Sequence, residues 1–305
     1  MHRMKTVPAE AAVPVAVPSL RRRAYSDFLA LTKPRVTLLV LITTLIGFHL
    51  GTTGPTDLGL LLHTLVGTAL VASGAAAINQ VMEQRTDGLM RRTRLRPLPA
   101  GRLRSREARA FALALTVVGL AELALGTNLT AGLVALATIA SYALVYTPLK
   151  QRTSLAAVIG AVPGALPPMI GWAAATGELS VEGWVLFAIV FVWQMPHVLA
   201  ISWMYREDYQ RGGIRVLPVE EPDGASTSRQ TVSYAAVLIP VTLLPTIVGL
   251  AGGRYFVGAL VLGFGLLALA VDFARCRTAT RARRLFLMSL AYLPLLWVLM
   301  LADRP

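Results

Sequence analysis

Nine stretches of this chain are each apolar over about the length that crosses a bilayer, and no other feature limits its fold as strongly. They run 36–53, 58–82, 107–126, 130–147, 154–176, 182–204, 231–251, 255–272 and 284–302. A spanning helix takes about 20 mainly apolar residues, and it satisfies its own backbone where no water is available to do so. Prolines inside the stretches, such as Pro163, Pro167 and Pro168, are compatible with this where neighbouring helices supply the missing partners. The expected fold is therefore all-α, a polytopic membrane protein with nine transmembrane helices.

Composition agrees. Apolar residues make up 55% of the chain and charged ones 15%, against about 25% charged in soluble domains. This excludes an ordinary soluble protein and a disordered one. The single cysteine, Cys276, can form no internal disulfide and cannot build a thiolate metal site, and it reads as a small packing residue. Connections 54–57, 127–129 and 177–181 leave no room for a second domain. Residues 1–25 read as a flexible cytoplasmic arm and 26–305 as one transmembrane domain. In the arm, Arg21, Arg22 and Arg23 follow the Pro/Ala/Val run, the reverse of a cleaved signal peptide.

The chain carries 29 Lys and Arg against 16 Asp and Glu, a net charge of +13. With the N-terminus in the cytoplasm, every Lys and Arg except Arg254 and Arg304 falls on the cytoplasmic side. Topology thus accounts for the charge by the positive-inside rule, and no nucleic acid is implied. The same placement gathers the two long loops, 83–106 and 205–230, on one membrane face. Their field there suits a polyanion.

Chemistry concentrates at those loops. Asn79-x3-Glu83-x3-Asp87 puts an amide and two carboxylates on one face of a helix leaving the membrane. Oxygen ligands of this kind suit Mg²⁺. Arg85, Arg91, Arg92, Arg94 and Arg96 crowd the same segment, and guanidinium forks match phosphate oxygens. Spacing alone leaves two readings open, a metal–diphosphate site or a solvated basic loop with incidental acids. The sixth stretch ends similarly, in Trp193-Gln194-Met195-Pro196-His197, then Tyr205-Arg206-Glu207-Asp208-Tyr209 and Gly212-Gly213. Tyr146-x3-Lys150-x-Arg152 adds two cations between these clusters. His197, an ionisable group at membrane depth, is either functional or hydrogen-bonded to a neighbouring helix. His2, His49, His63, Glu122 and Asp272 are assigned no role. Neither a Gly-rich nucleotide loop nor a Ser/His/Asp order is present.

The pattern Asn79-x3-Glu83-x3-Asp87-x2-Met90-x-Arg92-Thr93-x2-Arg96-Pro97-Leu98 resembles the first motif of the protohaem IX farnesyltransferases, or haem O synthases. These are a branch of the UbiA-type intramembrane prenyltransferases. Thr32-Lys33-Pro34-Arg35, Tyr146 to Lys150, Gly164 to Pro168 with Gly171-Trp172, Trp193 to His197, and Asp208-Tyr209 with Gly213-Ile214 and Leu217-Pro218 also look like segments of that branch. The likeness covers roughly residues 25–300. Gln151 and Ala156 depart from it, where a basic residue and Asn are common.

The resemblance implies nine helices around a central cavity. It implies Asn79, Glu83, Asp87 and Asp208 as the catalytic Mg²⁺ ligands. Arg92, Arg96, Lys150 and Arg152 would bind diphosphate, and Trp193 and His197 would contact haem. The implied reaction joins the farnesyl group of farnesyl diphosphate to a vinyl group of haem b, with water addition, giving haem O in the cell (inner) membrane. Haem b is then a substrate rather than a cofactor. Two other readings stand beside it: a UbiA-type enzyme acting on an aromatic quinone precursor, and a membrane transporter of an anionic substrate.

Overall fold

Among the described residues three helices begin on side-chain caps, which fix where the chain turns back into the membrane. Asp57 accepts from Leu60 N at 3.0 Å, Asn128 from Ala131 N at 2.9 Å, and Thr278 from Arg281 N at 3.3 Å. Each satisfies one of the amide donors that a helix start leaves free. The computed structural model describes residues 20–305, with side chains from Tyr25 onward. A short helix α1 (Leu20–Leu31) leads into the first span. The expected flexible arm lies outside the described residues up to residue 19, and its last six residues open this helix instead.

Among the described residues nine helices are long and apolar enough to span a membrane. They are α2 (Pro34–Gly51), α3 (Leu58–Met82), α5 (Ser105–Gly126), α6 (Leu129–Leu149), α7 (Ala156–Thr176), α8 (Val181–Met204), α11 (Ala225–Ile247), α12 (Gly253–Cys276) and α13 (Ala279–Ala302). Short helices α4 (Gln84–Leu89), α9 (Arg206–Arg211) and α10 (Leu217–Glu220) fold the two long loops. No strand occurs among the described residues. The seventh span starts at Ala225 rather than 231, because Ser226, Thr227, Ser228 and Thr231 are buried by neighbours and tolerate helix there.

Outward faces carry Leu38, Leu39, Ile42, Val117, Val261 and Phe264, exposed to lipid. Inside, one core joins α8 to α11, α12 and α13 through Trp203, Tyr255, Phe273 and Trp297. A second joins α2, α3, α5, α6 and α7 around Phe48, Leu123, Met169 and Ile170. Small residues set the tightest crossing: a Cβ on Gly171 of α7 would lie 2.6 Å from Phe48 N of α2. Close backbone approach of this kind is what packing inside a bilayer rewards. Pro167 and Pro168 interrupt α7 at Leu166, and Thr44 Oγ1 of α2 donates to Pro167 O at 3.1 Å beside the break. The first long loop is no loose strand of charge. Leu98 and Leu103 are buried with Leu31, Ala77 and Ala108, docking it against α1, α3 and α5.

Candidate active site

Helix α3 ends at Met82, and Glu83 turns the chain with φ −97° and ψ 7° into α4. The expected stripe is therefore not one continuous helix. The backbone bonds Glu83 N→Asn79 O (2.9 Å) and Asp87 N→Glu83 O (2.8 Å) nevertheless carry the four-residue spacing through the turn. Asn79, Glu83 and Asp87 all reach one cavity of about 240 Å³ as a result.

Each of the three already holds a cation of the protein. Lys33 Nζ donates to Asn79 Oδ1 at 3.1 Å, Lys150 pairs with Glu83, and Arg96 Nη1 donates to Asp87 Oδ2 at 2.7 Å. The two ion pairs, Lys150–Glu83 and Arg96–Asp87, are substantial ties, since breaking one partner out of a buried pair costs about 3–5 kcal/mol. Asp87 is 1% exposed, and its second carboxylate oxygen, Oδ1, is buried without a hydrogen-bond partner. An unpaired buried anionic oxygen is costly, and a cation there would relieve it. The donor set, two carboxylates and an amide oxygen, is the hard-oxygen set that Mg²⁺ takes.

Five cations line this polar lobe, Lys33, Arg92, Arg96, Lys150 and Arg215, against the two carboxylates Glu83 and Asp87. The excess is positive, as an anionic ligand requires. Lys150 sits 4.7 Å from the Tyr146 ring centroid, and Tyr142 stacks obliquely on Tyr146 at 5.4 Å. Both tyrosines lie where α6 widens into i→i+5 bonding, with Thr147 N donating to Tyr142 O. Such π-turns gather at functional sites. Burial lowers the Lys33 ammonium to a pKa of about 8, with the charge of Arg96 acting in the same direction.

The polar lobe opens into an apolar one of about 350 Å³ lined by α2, α3, α6, α7 and α8. Lys33, Tyr142, Tyr146, Ala157 and Val198 border both. On α8 the cavity face is Gln194, Val198 and Ser202, spaced by four. Gln194 Nε2 donates to Ala161 O at 2.8 Å, next to the α7 break.

Of the ten residues expected in the site, the structure brings six to this cavity: Asn79, Glu83, Asp87, Arg92, Arg96 and Lys150. Four lie elsewhere. Asp208 does not line it; its carboxylate accepts from Arg91 N at 3.1 Å and Arg92 N at 3.2 Å and pairs with Arg211. That pairing with Arg211, together with the Arg92 and Arg91 amides, holds its carboxyl below the usual Asp value in spite of burial. Among the described residues no three of Asp, Glu, His and Cys converge on one point, so the expected set that included Asp208 is not gathered. Arg152 faces away as well, and its carbonyl accepts from Arg215 Nη1 at 3.1 Å. Trp193 and His197 stand one residue before the cavity-facing positions of α8 and so turn toward α13. Trp193 Nε1 donates to Ser289 O at 2.8 Å, and His197 Nδ1 meets Ser289 Oγ at 2.8 Å between the rings of Trp193 and Phe286. Lys33, Tyr142 and Arg215, to which the sequence reading gave no role, do line the site. Lys33 stands directly before the proline that opens the first span, and that position was the available signal.

A basic chamber at the membrane interface, continuous with an apolar one at lipid depth, is the equipment of a membrane protein that handles an amphiphilic polyanion. The chain belongs to the UbiA prenyltransferase family, whose profile matches residues 40–293. It is similar to the protoheme IX farnesyltransferase of Solibacter usitatus, 50% identical over 288 residues that cover 92% of this chain and 99% of that one. The protoheme IX farnesyltransferase of Salinibacter ruber is 43% identical over 277 residues, covering 91% of this chain and 98% of its own. The fold is shared with a digeranylgeranylglyceryl phosphate synthase (TM-score 0.78, 16% identity, 92% of this chain and 98% of that chain). It is also shared with a UbiA homolog from Archaeoglobus fulgidus bound to GPP and Mg²⁺ (TM-score 0.63, 17% identity, 90% and 99%).

Proposed function

We propose that this protein transfers the farnesyl group of farnesyl diphosphate to a vinyl group of haem b, with addition of water, giving haem O. The observation that carries the reading is the joined two-lobed cavity, whose polar part is lined by five cations and whose apolar part, among the described residues, is charge-free except for Lys33. Its relatives named protoheme IX farnesyltransferase support haem as the acceptor. Neither the quinone-precursor reading nor the transporter reading is favoured by them.

Arg92, Arg96 and Lys150 would bind the diphosphate oxygens, with Arg215 close to them on the same wall. Preorganised cations aimed at the charge that develops on a leaving group are the main means of catalysis here. Asn79, Glu83 and Asp87 would hold Mg²⁺, as the orphaned Asp87 Oδ1 suggests. Bound there, the metal would supply further positive charge to the diphosphate. Lys150 and Arg96 now neutralise Glu83 and Asp87, so an arriving anion can recruit both cations as the carboxylates take other partners. The C–O bond of the allylic diphosphate breaks with its electron pair going to the diphosphate. The farnesyl cation adds to the vinyl group, water captures the cation that results, and the added water gives up one proton to the released diphosphate or to solvent, leaving a hydroxyl. Val36, Val40, Val71 and Ile170 wall the apolar lobe and keep water from the allylic cation until then. We place the loops bearing these residues at the cytoplasmic face of the cell membrane, because the Lys and Arg outside Arg254 and Arg304 collect there. Diphosphate release from farnesyl diphosphate by the purified protein tests the reading. It should require both haem b and Mg²⁺ and stop on chelation; release that ignores either would count against it.

A further inference from the structure

We propose that Lys33 is a catalytic residue of this site, its ammonium donating a hydrogen bond to the oxygen that departs from carbon 1 of the allylic diphosphate. The inference rests on the prenyl-transfer reading and adds a residue and a role to it. Among the described residues Lys33 is the one charged residue lining the apolar lobe, and it also lines the polar lobe. A substrate with its phosphates in one lobe and its chain in the other must cross at the shared border. The bond that crosses there is the one that breaks.

The backbone holds Lys33 at that border in a conformation that few residues adopt. Its φ is 47° and ψ 63°, left-handed, directly before Pro34. A residue before proline favours extended backbone, and left-handed geometry is disfavoured for any side chain with a Cβ. Strain of this kind persists only where the surroundings impose it, and it gathers at functional sites. The surroundings here are explicit. Gln80 Nε2 donates to Leu31 O at 2.9 Å, Thr32 Oγ1 to Leu29 O at 2.8 Å, and Thr37 Oγ1 to Thr32 O at 2.8 Å. The chain turns between α1 and α2 at this residue, which sends the ammonium inward to Asn79.

The partner of Lys33 also matters. Lys150 and Arg96 are tied to carboxylates, whereas Lys33 meets only the neutral amide oxygen of Asn79. A carboxylate adds charge attraction to a hydrogen bond that a neutral amide lacks, so the ammonium of Lys33 is more easily surrendered to a substrate than the cations of Lys150 and Arg96. In the step itself the C1–O bond breaks and its electron pair stays on that oxygen, now a terminal oxygen of free diphosphate. Lys33 donates an N–H hydrogen bond to it, and no proton has to transfer.

The test uses the full-length protein in lipid nanodiscs as wild type, Lys33→Met and Lys33→Arg. One measurement is the single-turnover rate of diphosphate release with haem b and Mg²⁺. The other is the Kd of farnesyl thiolodiphosphate, whose C–S bond resists ionisation. For Lys33→Met the rate should fall at least 100-fold while Kd rises less than 5-fold, because Arg92, Arg96 and Lys150 still hold the outer oxygens. Lys33→Arg, which keeps a charged donor, should recover at least a tenth of the wild-type rate. A rate loss that does not exceed the Kd change by tenfold overturns the proposal. Should Lys33→Met fail to fold, Lys33→Gln is judged by the same criteria, and failure of both to fold would assign Lys33 to the fold and overturn the proposal too. A wild type that releases no diphosphate from farnesyl diphosphate would instead refute the prenyl-transfer reading itself.

Discussion

Asp208 joins the two long loops, and its replacement should loosen them before it affects anything else. Its carboxylate is 6% exposed and accepts from the amides of Arg91 and Arg92 on the first loop, while Arg211 pairs with it from its own helix. The loops meet closely here, since a Cβ on Gly212 would lie 2.9 Å from Met90 Cγ. Hydrogen bonds to a charged group contribute about 1.5–3 kcal/mol each. The Arg211 side chain is 38% exposed, so that pair counts for no more than about 0.5 kcal/mol after screening. Asp208→Asn keeps one acceptor oxygen and turns an N–H toward the other amide, so about 2–4 kcal/mol of loop closure should be lost. At 1.4 kcal/mol per factor of ten, local protection against amide exchange should fall about 30- to 1000-fold. Hydrogen exchange read by mass spectrometry over residues 88–97 and 205–216 measures this directly. Affinity for farnesyl diphosphate should fall with it, because Arg92 is placed by the same contact. Unchanged exchange with a weakened Mg²⁺ affinity would refute the reasoning and return Asp208 to the metal.

Asp87→Asn removes the charge facing Arg96 without changing size and should cut turnover at least 100-fold while the protein still folds, as judged by its melting profile and single-turnover assays. His197→Ala loses the contact with Ser289 and its place between Trp193 and Phe286, so it should lower stability by about 1–2 kcal/mol; Kd values for haem b and the farnesyl thiolodiphosphate, measured on the folded variant, should stay within threefold. Reporter fusions after Arg104 and after Gly224 should both be cytoplasmic and one after Glu178 external; opposite sides for the first two would separate residues that the structure places in one cavity.

Hydropathy made the architecture legible, because a bilayer imposes a length on each spanning helix. The start of α11 moved because buried polar residues, among them Ser226, Thr227, Ser228 and Thr231, prolong the helix beyond its apolar stretch. The first acidic motif was legible for the same geometric reason: four-residue spacing survives the turn at Glu83. The second was not. Spacing says which face a residue shares, but not what packs against that face, so Trp193 and His197 were read toward the cavity although α13 claims them. Asp208 was expected as a ligand, and an acid beside a glycine turn gives no sign of the backbone amides of Arg91 and Arg92 that meet it here. Lys33 was visible as part of a motif, yet the left-handed turn that aims it inward comes from the junction of two helices and from Gln80, fifty residues away from Ala30.

The central claim is the chemical identity of the product. Membranes carrying this protein, from a host without its own haem-farnesylating activity, should be supplied with haem b and farnesyl diphosphate and their haems analysed by liquid chromatography and mass spectrometry. The account predicts a haem whose mass equals that of haem b plus one farnesyl group and one hydroxyl group, absent when Asp87→Asn replaces the wild type. Unmodified haem b together with a farnesylated aromatic quinone precursor would contradict it.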